Sequence, residues 1–206
     1  MLKDFTEFWN EYYKNNTYNN MYSIWIDGYL QYFNKNAKII ELGAGNGDLS
    51  IYLHNLGYDV TATDLSDVAL ENIKKKCNGI KIMKLDLQKD FEMKNTYDIV
   101  IADLSLHYFN FATTIKIVNQ VYNSLKDSGL LIARVNSVDD RNNGAGQGKV
   151  LEKNYYEVQG YYKRFFDEKD IKTFFKIFNS LHYKKVSLNS GTPKQKEIYE
   201  IIAKKV

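Results

Sequence analysis

The sequence predicts an α/β protein in which helices cover both faces of a mostly parallel sheet. Short apolar runs alternate with amphipathic segments along the middle of the chain, and a glycine-rich turn follows the first apolar run. Apolar strands that alternate with helices indicate βαβ units, whose parallel strands are buried on both faces. A length of 206 residues is typical of one domain, so we expect residues 1–206 to form a single domain.

The segment ahead of the first apolar run is predicted to form two amphipathic helices. Apolar and aromatic residues recur at helical spacing between residues 5 and 33, and a polar stretch at 15–20 separates two groups of them. We expect residues 1–34 to act as a helical lid over a site at the sheet edge. Packing of the same residues against the rest of the protein is the alternative interpretation.

Strands and helices alternate in the middle of the chain. The apolar runs predict strands at 37–42, 59–63, 80–85, 97–102 and 129–135. The intervening segments predict helices at 48–56, 66–78 and 112–125, and Ser66 is the predicted N-cap of the second. This order predicts that the strands lie parallel, with their carboxyl ends at one edge of the sheet.

The last third of the chain departs from this alternation. Residues 136–166 form a long polar, glycine-containing and tyrosine-rich insertion, and such insertions are often functional. We expect this insertion to form the substrate side of a pocket. Asp167 is the predicted N-cap of a last helix. The chain is then predicted to end in a β-hairpin with arms at 186–188 and 198–203.

Composition excludes several classes of protein. The net charge is only +3 and both signs are interspersed, so we expect no nucleic-acid partner. Cys77 is the sole cysteine, which rules out an intramolecular disulfide and a cysteine zinc site, and no metal site is predicted. No apolar run approaches the roughly 20 residues of a membrane span, and no signal peptide is evident. We expect a cytoplasmic monomer or homodimer with no membrane partner.

The turn after the first strand predicts a nucleoside site. Its sequence, Glu41-Leu42-Gly43-Ala44-Gly45-Asn46-Gly47, has three alternating glycines, which let a ligand approach the backbone closely. A dinucleotide fingerprint would require glycine at position 48, where Asp48 stands. A carboxylate at a helix N-terminus repels a pyrophosphate. The turn therefore favours a nucleoside that carries no pyrophosphate, which argues against an NAD-dependent oxidoreductase.

Acidic residues follow the next three predicted strands. Asp64 lies 17 positions after Gly47, close to the spacing at which an acid accepts hydrogen bonds from ribose hydroxyls. Asp86 is placed to accept a hydrogen bond from an exocyclic amine such as that of adenine, and Asp103 ends the fourth strand. A single acid after a strand is readily explained as a helix cap. Three acids in register with a glycine turn are much harder to explain in that way.

With these motifs the chain resembles the class I S-adenosylmethionine (SAM)-dependent methyltransferases. The resemblance rests on segments 41–47, 97–103 and 125–131 together with Asp64 and Asp86. It implies a three-layer α/β/α sandwich with a seven-stranded, mostly parallel, Rossmann-like sheet of order 3-2-1-4-5-7-6, strand 7 being antiparallel. It also implies SAM as cofactor and S-adenosylhomocysteine as product. Residues 106–108 and 161–166 resemble small bacterial methyltransferases of the tellurite-resistance or general small-molecule type.

The resemblance also implies roles for individual residues around the methyl donor. The expected SAM contacts are Glu41, Gly43, Ala44, Gly45, Asp64, Leu65, Asp86, Leu87, Asp103 and Leu104. His107 is the candidate general base, because an imidazole titrates near neutral pH, with a structural histidine as the alternative. The expected contacts with a small-molecule methyl acceptor are Tyr13, Tyr108, Asn136, Arg141, Tyr156 and Arg164. Trp9, Tyr12 or Tyr13 would cover the sulfonium, since an aromatic face attracts a cation.

Other acceptors and activities stay open at this point. Methyltransferases that act on base amines typically carry a proline-rich aromatic motif after the fourth strand, but the only proline is Pro193. Cytosine C5 methylation needs a cysteine nucleophile, whereas Cys77 lies in a lysine-rich segment. A protein methyltransferase, a nucleic-acid methyltransferase and a non-catalytic SAM-binding protein are the alternatives to a small-molecule methyltransferase.

Overall fold

The computed structural model describes residues 4–16, 24–158 and 160–206. Its central sheet contains the strands β1 (Lys38–Leu42), β2 (Asp59–Asp64), β3 (Lys81–Lys84), β4 (Tyr97–Asp103), β5 (Leu125–Asn136), β9 (Ser180–Leu188) and β10 (Lys196–Lys204). A smaller sheet contains β6 (Lys149–Glu152), β7 (Tyr155–Val158) and β8 (Tyr161–Arg164). The α-helices are α1 (Phe5–Asn15), α2 (Asp48–Asn55), α3 (Asp67–Lys76), α4 (Phe111–Ser124) and α5 (Glu168–Phe174).

The order of the central sheet is β3-β2-β1-β4-β5-β10-β9. When the strands of this sheet are counted along the chain, this is the predicted order 3-2-1-4-5-7-6, and the prediction is confirmed. The first five strands pair in parallel, whereas β10 is antiparallel to both β5 and β9. The carboxyl ends of β1 to β5 therefore lie at one edge.

The core lies on both faces of this sheet, because successive residues of a strand point to opposite sides. Ile40 and Val100 belong to the cluster that packs under α4 and α5, whereas Ile39 and Ile99 belong to the cluster under α2 and α3. The three-layer α/β/α arrangement is thus confirmed. Within the described ranges, no helix combines the length and the apolarity that crossing a membrane requires.

The helix caps follow the chemistry that the sequence predicts. Ser66 Oγ accepts a hydrogen bond from the Ala69 amide at 3.1 Å, and satisfies one of the free donors at the start of α3. Asp167 caps α5 and forms a reciprocal capping box with Asp170.

Some elements differ from the predictions. The segment Ile24–Tyr32 forms a 3-10 helix where an α-helix was predicted, and Gly28 at its centre disfavours an α-helix. Most of the polar stretch predicted at 15–20 lies outside the described residues. Strand β5 begins at Leu125, earlier than predicted, because the buried Leu125 pairs with Tyr97 before a register shift.

The insertion 136–166 folds into a small antiparallel sheet of order β6-β7-β8, preceded by a 3-10 helix at Arg141–Asn143. Asn154, with a φ of 59°, makes the turn between β6 and β7. The amide of Phe165 donates to the Asn154 carbonyl at 2.8 Å, so this turn also holds the end of β8. The small sheet is thus fixed close to the carboxyl end of β5.

Candidate functional site

A cavity of about 1310 Å³ opens at the carboxyl edge of the central sheet. The ends of β1 to β5 form its floor, α1 covers it, and β8 and the β9–β10 turn form a side wall. All the residues expected as SAM contacts line it: Glu41, Gly43, Ala44, Gly45, Asp64, Leu65, Asp86, Leu87, Asp103 and Leu104. The structure thus brings this predicted set together around one space.

The glycine turn between β1 and α2 presents bare backbone to the cavity. Gly43 and Gly45 have φ values of 73° and 55°, in the left-handed region that favours glycine. A Cβ on Gly43 would lie 2.7 Å from the Cβ of Ser105, and one on Gly45 would lie 2.8 Å from the hydroxyl of Tyr13. Close packing within the protein, as well as access for a ligand, therefore requires glycine at both positions.

Asp64 is held at the end of β2 by two backbone amides. Its Oδ2 accepts from Gly45 and its Oδ1 accepts from Ser66, both at 2.9 Å. Burial raises the pKa of Asp64, and the backbone donors oppose that rise. Each carboxylate oxygen has capacity for a second hydrogen bond. The side chain is thus fixed in position and can still accept hydrogen bonds from the cavity.

Glu41 is a buried carboxyl group in the floor of the cavity. Ser50 Oγ donates a hydrogen bond to it. Burial raises the pKa of Glu41 to about 8, and the nearby charges of Asp103 and Asp64 act in the same direction. The group is therefore largely protonated at neutral pH, and a cationic ligand beside it would favour loss of that proton.

Asp103 and Arg134 form a bidentate ion pair where β4 and β5 end. Arg134 Nε lies 2.6 Å from Oδ1 and Nη2 lies 2.8 Å from Oδ2 of Asp103. The guanidinium stacks over Trp25 at 4.3 Å from the ring centroid. Arg134 Nη1 is buried and has no hydrogen-bond partner among the described residues. Arg134 was not among the predicted site residues, although a charged residue inside an apolar strand is itself a signal.

The side chains expected around adenine differ in their exposure. Asp86 is partly exposed and its Oδ1 accepts from the Gln88 amide at 3.0 Å. Leu87 is buried and belongs to the core on the α4 side of the sheet. One polar and one apolar wall are therefore available in this part of the cavity.

Helix α1 presents an aromatic face to the cavity. The residues of this face recur three or four positions apart, as one side of a helix requires; they are Phe5, Phe8, Trp9, Tyr12 and Tyr13. The Trp9 ring stacks on Tyr13 at 5.8 Å and meets Tyr108 edge-on at 5.1 Å. Asn10 Oδ1 accepts from Ser66 Oγ at 2.7 Å, which ties the helix to the start of α3.

Two of the expected acceptor contacts, Tyr13 and Tyr108, do line the cavity. Burial raises the pKa of both phenols, so they stay protonated at neutral pH. They can donate hydrogen bonds, and they are poor candidates for a base.

The expectation that His107 is a general base at the cavity is not supported by its position. His107 lies in the 3-10 helix Leu106–Tyr108, is 3% exposed and is not among the residues that line the cavity. Burial lowers the pKa of His107 well below its ordinary value, and the charges of Lys196 and Lys163 add to the effect. The imidazole is therefore neutral and enclosed, which agrees with a structural histidine.

Arg164 is also a structural residue and does not reach the cavity. Its Nη2 lies 2.6 Å from Glu152 Oε2, and its Nε donates to the Phe109 carbonyl at 3.0 Å. The guanidinium lies between the rings of Tyr155 and Phe174. Because the side chain is 1% exposed, the expected contact with an acceptor is corrected to an anchor of the small sheet.

The structure places the other three expected acceptor contacts outside the cavity lining as well. Asn136 is 1% exposed, and its carbonyl accepts from the Phe166 amide at 2.8 Å. Arg141 is exposed and donates to the Ala145 carbonyl. Tyr156 packs its ring 6.0 Å from Phe165.

Strand alternation explains which residues of the insertion reach the cavity. Tyr161 and Lys163 on β8 line it, whereas Arg164 points to the other face of the small sheet. The β9–β10 turn adds Asn189, Thr192, Pro193 and Lys194 to the wall. None of these was predicted as a site residue, because the sequence alone does not fix the register of a short strand.

Comparisons with known proteins agree with this geometry. Residues 39–129 match the family described as methyltransferase domain. Ribosomal protein L11 methyltransferase from Staphylococcus carnosus is 31% identical over 53% of this chain and 35% of that protein. An uncharacterized methyltransferase from Oceanobacillus iheyensis is 24% identical over 71% of this chain and 74% of that protein. The chain spans less than half of the length of two of its curated relatives, 35% and 47%.

Solved structures show the same fold. A SAM-dependent methyltransferase from Methanosarcina mazei matches with a TM-score of 0.71 and 15% identity over 85% of this chain and 95% of that chain. The match extends well beyond residues 39–129, so the shared architecture includes segments on both sides of the region that matches the family.

Proposed function

We propose that the chain is a class I S-adenosylmethionine-dependent methyltransferase that transfers a methyl group from SAM to a small-molecule acceptor. One observation carries the proposal: a single cavity contains both a glycine and carboxylate floor and an aromatic cover. Its volume of about 1310 Å³ exceeds the roughly 1,000 Å³ of a large pocket for one small ligand, and this supports two ligands bound together.

The chemistry of the cavity floor fits SAM. Asp64 would accept hydrogen bonds from the ribose hydroxyls, while Asp86 and Leu87 would contact the adenine. The glycine turn and Asp103 would hold the methionine part. Ser105 Oγ and Arg134 Nη1, both in lining residues, are buried and have no hydrogen-bond partner in the described parts of the chain. Polar groups of a bound ligand would satisfy them, which supports a polar ligand at this place.

When bound, SAM supplies a methyl group made electrophilic by its sulfonium. The chain contributes position and exclusion of water: the sheet edge holds the donor site, and the aromatic face of α1 covers it. Correct positioning of two reactants is worth on the order of 7–11 kcal/mol of the barrier. Trp9, Tyr13 and Tyr108 place their rings together over this space, where aromatic faces favour a nearby cation.

Neither a histidine nor the phenols of Tyr13 and Tyr108 offer a general base in the described lining of the cavity. None of the three histidines is among its lining residues within the described ranges, and the phenols of Tyr13 and Tyr108 stay protonated. We therefore propose that the acceptor atom arrives without a proton, or gives its proton to water. Such a mechanism does not need His107 or another residue to act as a general base at the cavity.

Calorimetry with S-adenosylhomocysteine tests the donor site. We expect Asp64→Asn to weaken binding at least about tenfold, because a charged acceptor of hydrogen bonds is lost. Asp59→Asn, at the exposed start of the same strand, is the matched control and should bind like the wild type. Equal affinity of Asp64→Asn and the wild type would contradict the assignment of Asp64.

The acceptor class is tested with SAM that carries a radiolabelled methyl group. We expect label to enter small acids, phenols or amines, and to stay out of protein and RNA. One of the curated relatives is a ribosomal protein methyltransferase, so ribosomal protein belongs in the panel. Label in protein alone would overturn the small-molecule acceptor and leave the methyltransferase activity standing.

A further inference from the structure

The charges that line the cavity are segregated. Its acidic groups lie in the floor, at the ends of β1 to β4 and the start of α2: Glu41, Asp48, Asp64, Asp86 and Asp103. Its basic groups lie toward the β5 side and the side wall: Arg134 near the end of β5, next to Asp103, Lys163 on β8 and Lys194 in the β9–β10 turn. The acids surround the proposed SAM site, so the bases face the space left for the acceptor.

The basic groups in and behind the cavity wall differ in how their charge is neutralised. Arg134 is paired with Asp103 through two hydrogen bonds. Behind the cavity wall, Lys196 lies 3.9 Å from the buried Asp140. By contrast, Lys163 has no carboxylate within ion-pair distance in the described ranges, and its Nζ donates only to the Asn143 carbonyl at 3.3 Å. Lys163 therefore lacks a counter-charge among the described residues.

Lys163 is also half-buried, which makes this missing counter-charge costly. Burial lowers the pKa of Lys163, and the charge of Asp140 only partly opposes the effect. A charged group taken out of water is stabilised when a counter-ion binds beside it. The site thus gains most from an anion placed next to Nζ.

The surroundings of Lys163 are aromatic. Its Nζ lies 5.8 Å from the centroid of Tyr161, and Tyr161 in turn meets Phe8 of α1 edge-on at 4.8 Å. Trp9 contacts Phe8 at 5.1 Å and continues this wall toward Tyr108. Flat rings beside an unpaired cation suit a ligand with a planar apolar body and one acidic group.

We propose that Lys163 binds an acidic group of the methyl acceptor, and that the acceptor is a small planar anion such as an aromatic carboxylate. This inference rests on the proposed function, because it assigns the second ligand of the same cavity. Lys163 is a specificity-determining residue and takes no part in the methyl transfer itself.

Three probes of equal shape and different charge test the inference: benzoate, benzamide and benzamidine. Each is titrated into protein saturated with S-adenosylhomocysteine, and binding is followed by calorimetry and ligand-observed NMR. We expect benzoate to bind at least about tenfold more tightly than benzamide, and benzamidine to bind most weakly, because a hydrogen-bonded charge at Nζ favours the anion alone. Equal binding of benzoate and benzamide, or a preference for benzamidine, would overturn the inference.

The variant Lys163→Met keeps the length of the side chain and removes its charge. We expect it to abolish the preference for benzoate and to leave the affinity for S-adenosylhomocysteine unchanged. Lys149→Met, exposed on the same small sheet and outside the cavity lining, is the matched control and should keep the preference. Weaker binding of S-adenosylhomocysteine by Lys163→Met would assign the lysine to the methyl donor and overturn the inference.

The two proposals fail in different ways. If the wild type does not bind S-adenosylhomocysteine, the proposed function fails before any probe is added. If it binds S-adenosylhomocysteine and does not distinguish benzoate from benzamide, only the anionic acceptor is overturned.

Discussion

Arg134 Nε and Nη2 donate to the two carboxylate oxygens of Asp103, at 2.6 and 2.8 Å, where two neighbouring strands end at the cavity. The pair is partly buried, with 8% of the Arg134 side chain and 20% of the Asp103 side chain exposed. Its geometry fixes the direction of Asp103 and holds the guanidinium over the Trp25 ring, 4.3 Å from the centroid. The same contact therefore joins the ends of β4 and β5 at the cavity.

Removal of Arg134 should leave Asp103 without its counter-charge. We expect Arg134→Met to lower the free energy of unfolding by about 3 kcal/mol, because breaking a largely buried pair leaves an uncompensated charge. Urea denaturation measures the change. The exposed pair of Lys81 and Asp59 is the control, and Lys81→Met should cost less than about 1 kcal/mol. A double variant with Asp103→Asn that loses the full sum of both single changes would show that the two residues do not interact.

Gly45→Ala should damage ligand binding more than it damages stability. A Cβ at this position would lie 2.8 Å from the Tyr13 hydroxyl, so the aromatic cover would have to move. We expect at least about a tenfold loss of affinity for S-adenosylhomocysteine, which is about 1.4 kcal/mol. Gly57→Ala also has a positive φ but meets nothing within 4 Å, so it should lose about 1 kcal/mol of stability and keep its affinity. Equal affinities of the two variants would contradict the steric explanation.

Glu41 should make the folded protein less stable as the pH rises. Its folded-state pKa is about 8, above the ordinary value of 4.5, so between these values the unfolded chain loses a proton that the folded chain keeps. The stability of the wild type should fall by up to about 1.4 kcal/mol per pH unit in this window from this group. Glu41→Gln, which keeps a hydrogen-bond acceptor for Ser50, should remove that contribution. The exposed Glu71→Gln is the control, and the same pH slope in both variants would refute the assignment.

His107 should make the folded protein less stable as the pH falls, the opposite of the effect of Glu41. Its folded-state pKa lies well below 6.5, so the unfolded chain takes up a proton below that pH while the folded chain does not. Stability from this group is complete above about pH 6.5 and falls in acid by up to about 1.4 kcal/mol per pH unit. We expect His107→Gln to reduce this acid sensitivity, and the exposed His182→Gln to retain it. Loss of methyl transfer with unchanged stability and S-adenosylhomocysteine binding in His107→Gln would restore the catalytic assignment.

The sequence predicted the floor of the cavity well, because backbone topology alone brings strand ends together. Asp64 and Asp103 follow buried parallel strands, and any such strands place their carboxyl ends at one edge. The glycine turn is equally local, since positive φ values and close contacts restrict Gly43 and Gly45 to glycine.

The wall of the cavity could not be predicted in the same way. On β8, Lys163 lines the cavity and Arg164 is buried on the other face, and a shift of one residue would exchange them. That register depends on the turn at Asn154 and on contacts with the rest of the fold, such as that of Arg164 with the Phe109 carbonyl.

A comparison of the binding of two nucleotide-type ligands tests the central claim most directly. Calorimetric titration of the wild type with S-adenosylhomocysteine and, separately, with NADH compares the two cofactor classes that a glycine-rich turn can serve. We expect saturable binding of S-adenosylhomocysteine and none of NADH, because Asp48 opposes a pyrophosphate at the start of α2. Saturable binding of NADH, with no binding of S-adenosylhomocysteine, would contradict a methyl-donor site in this cavity.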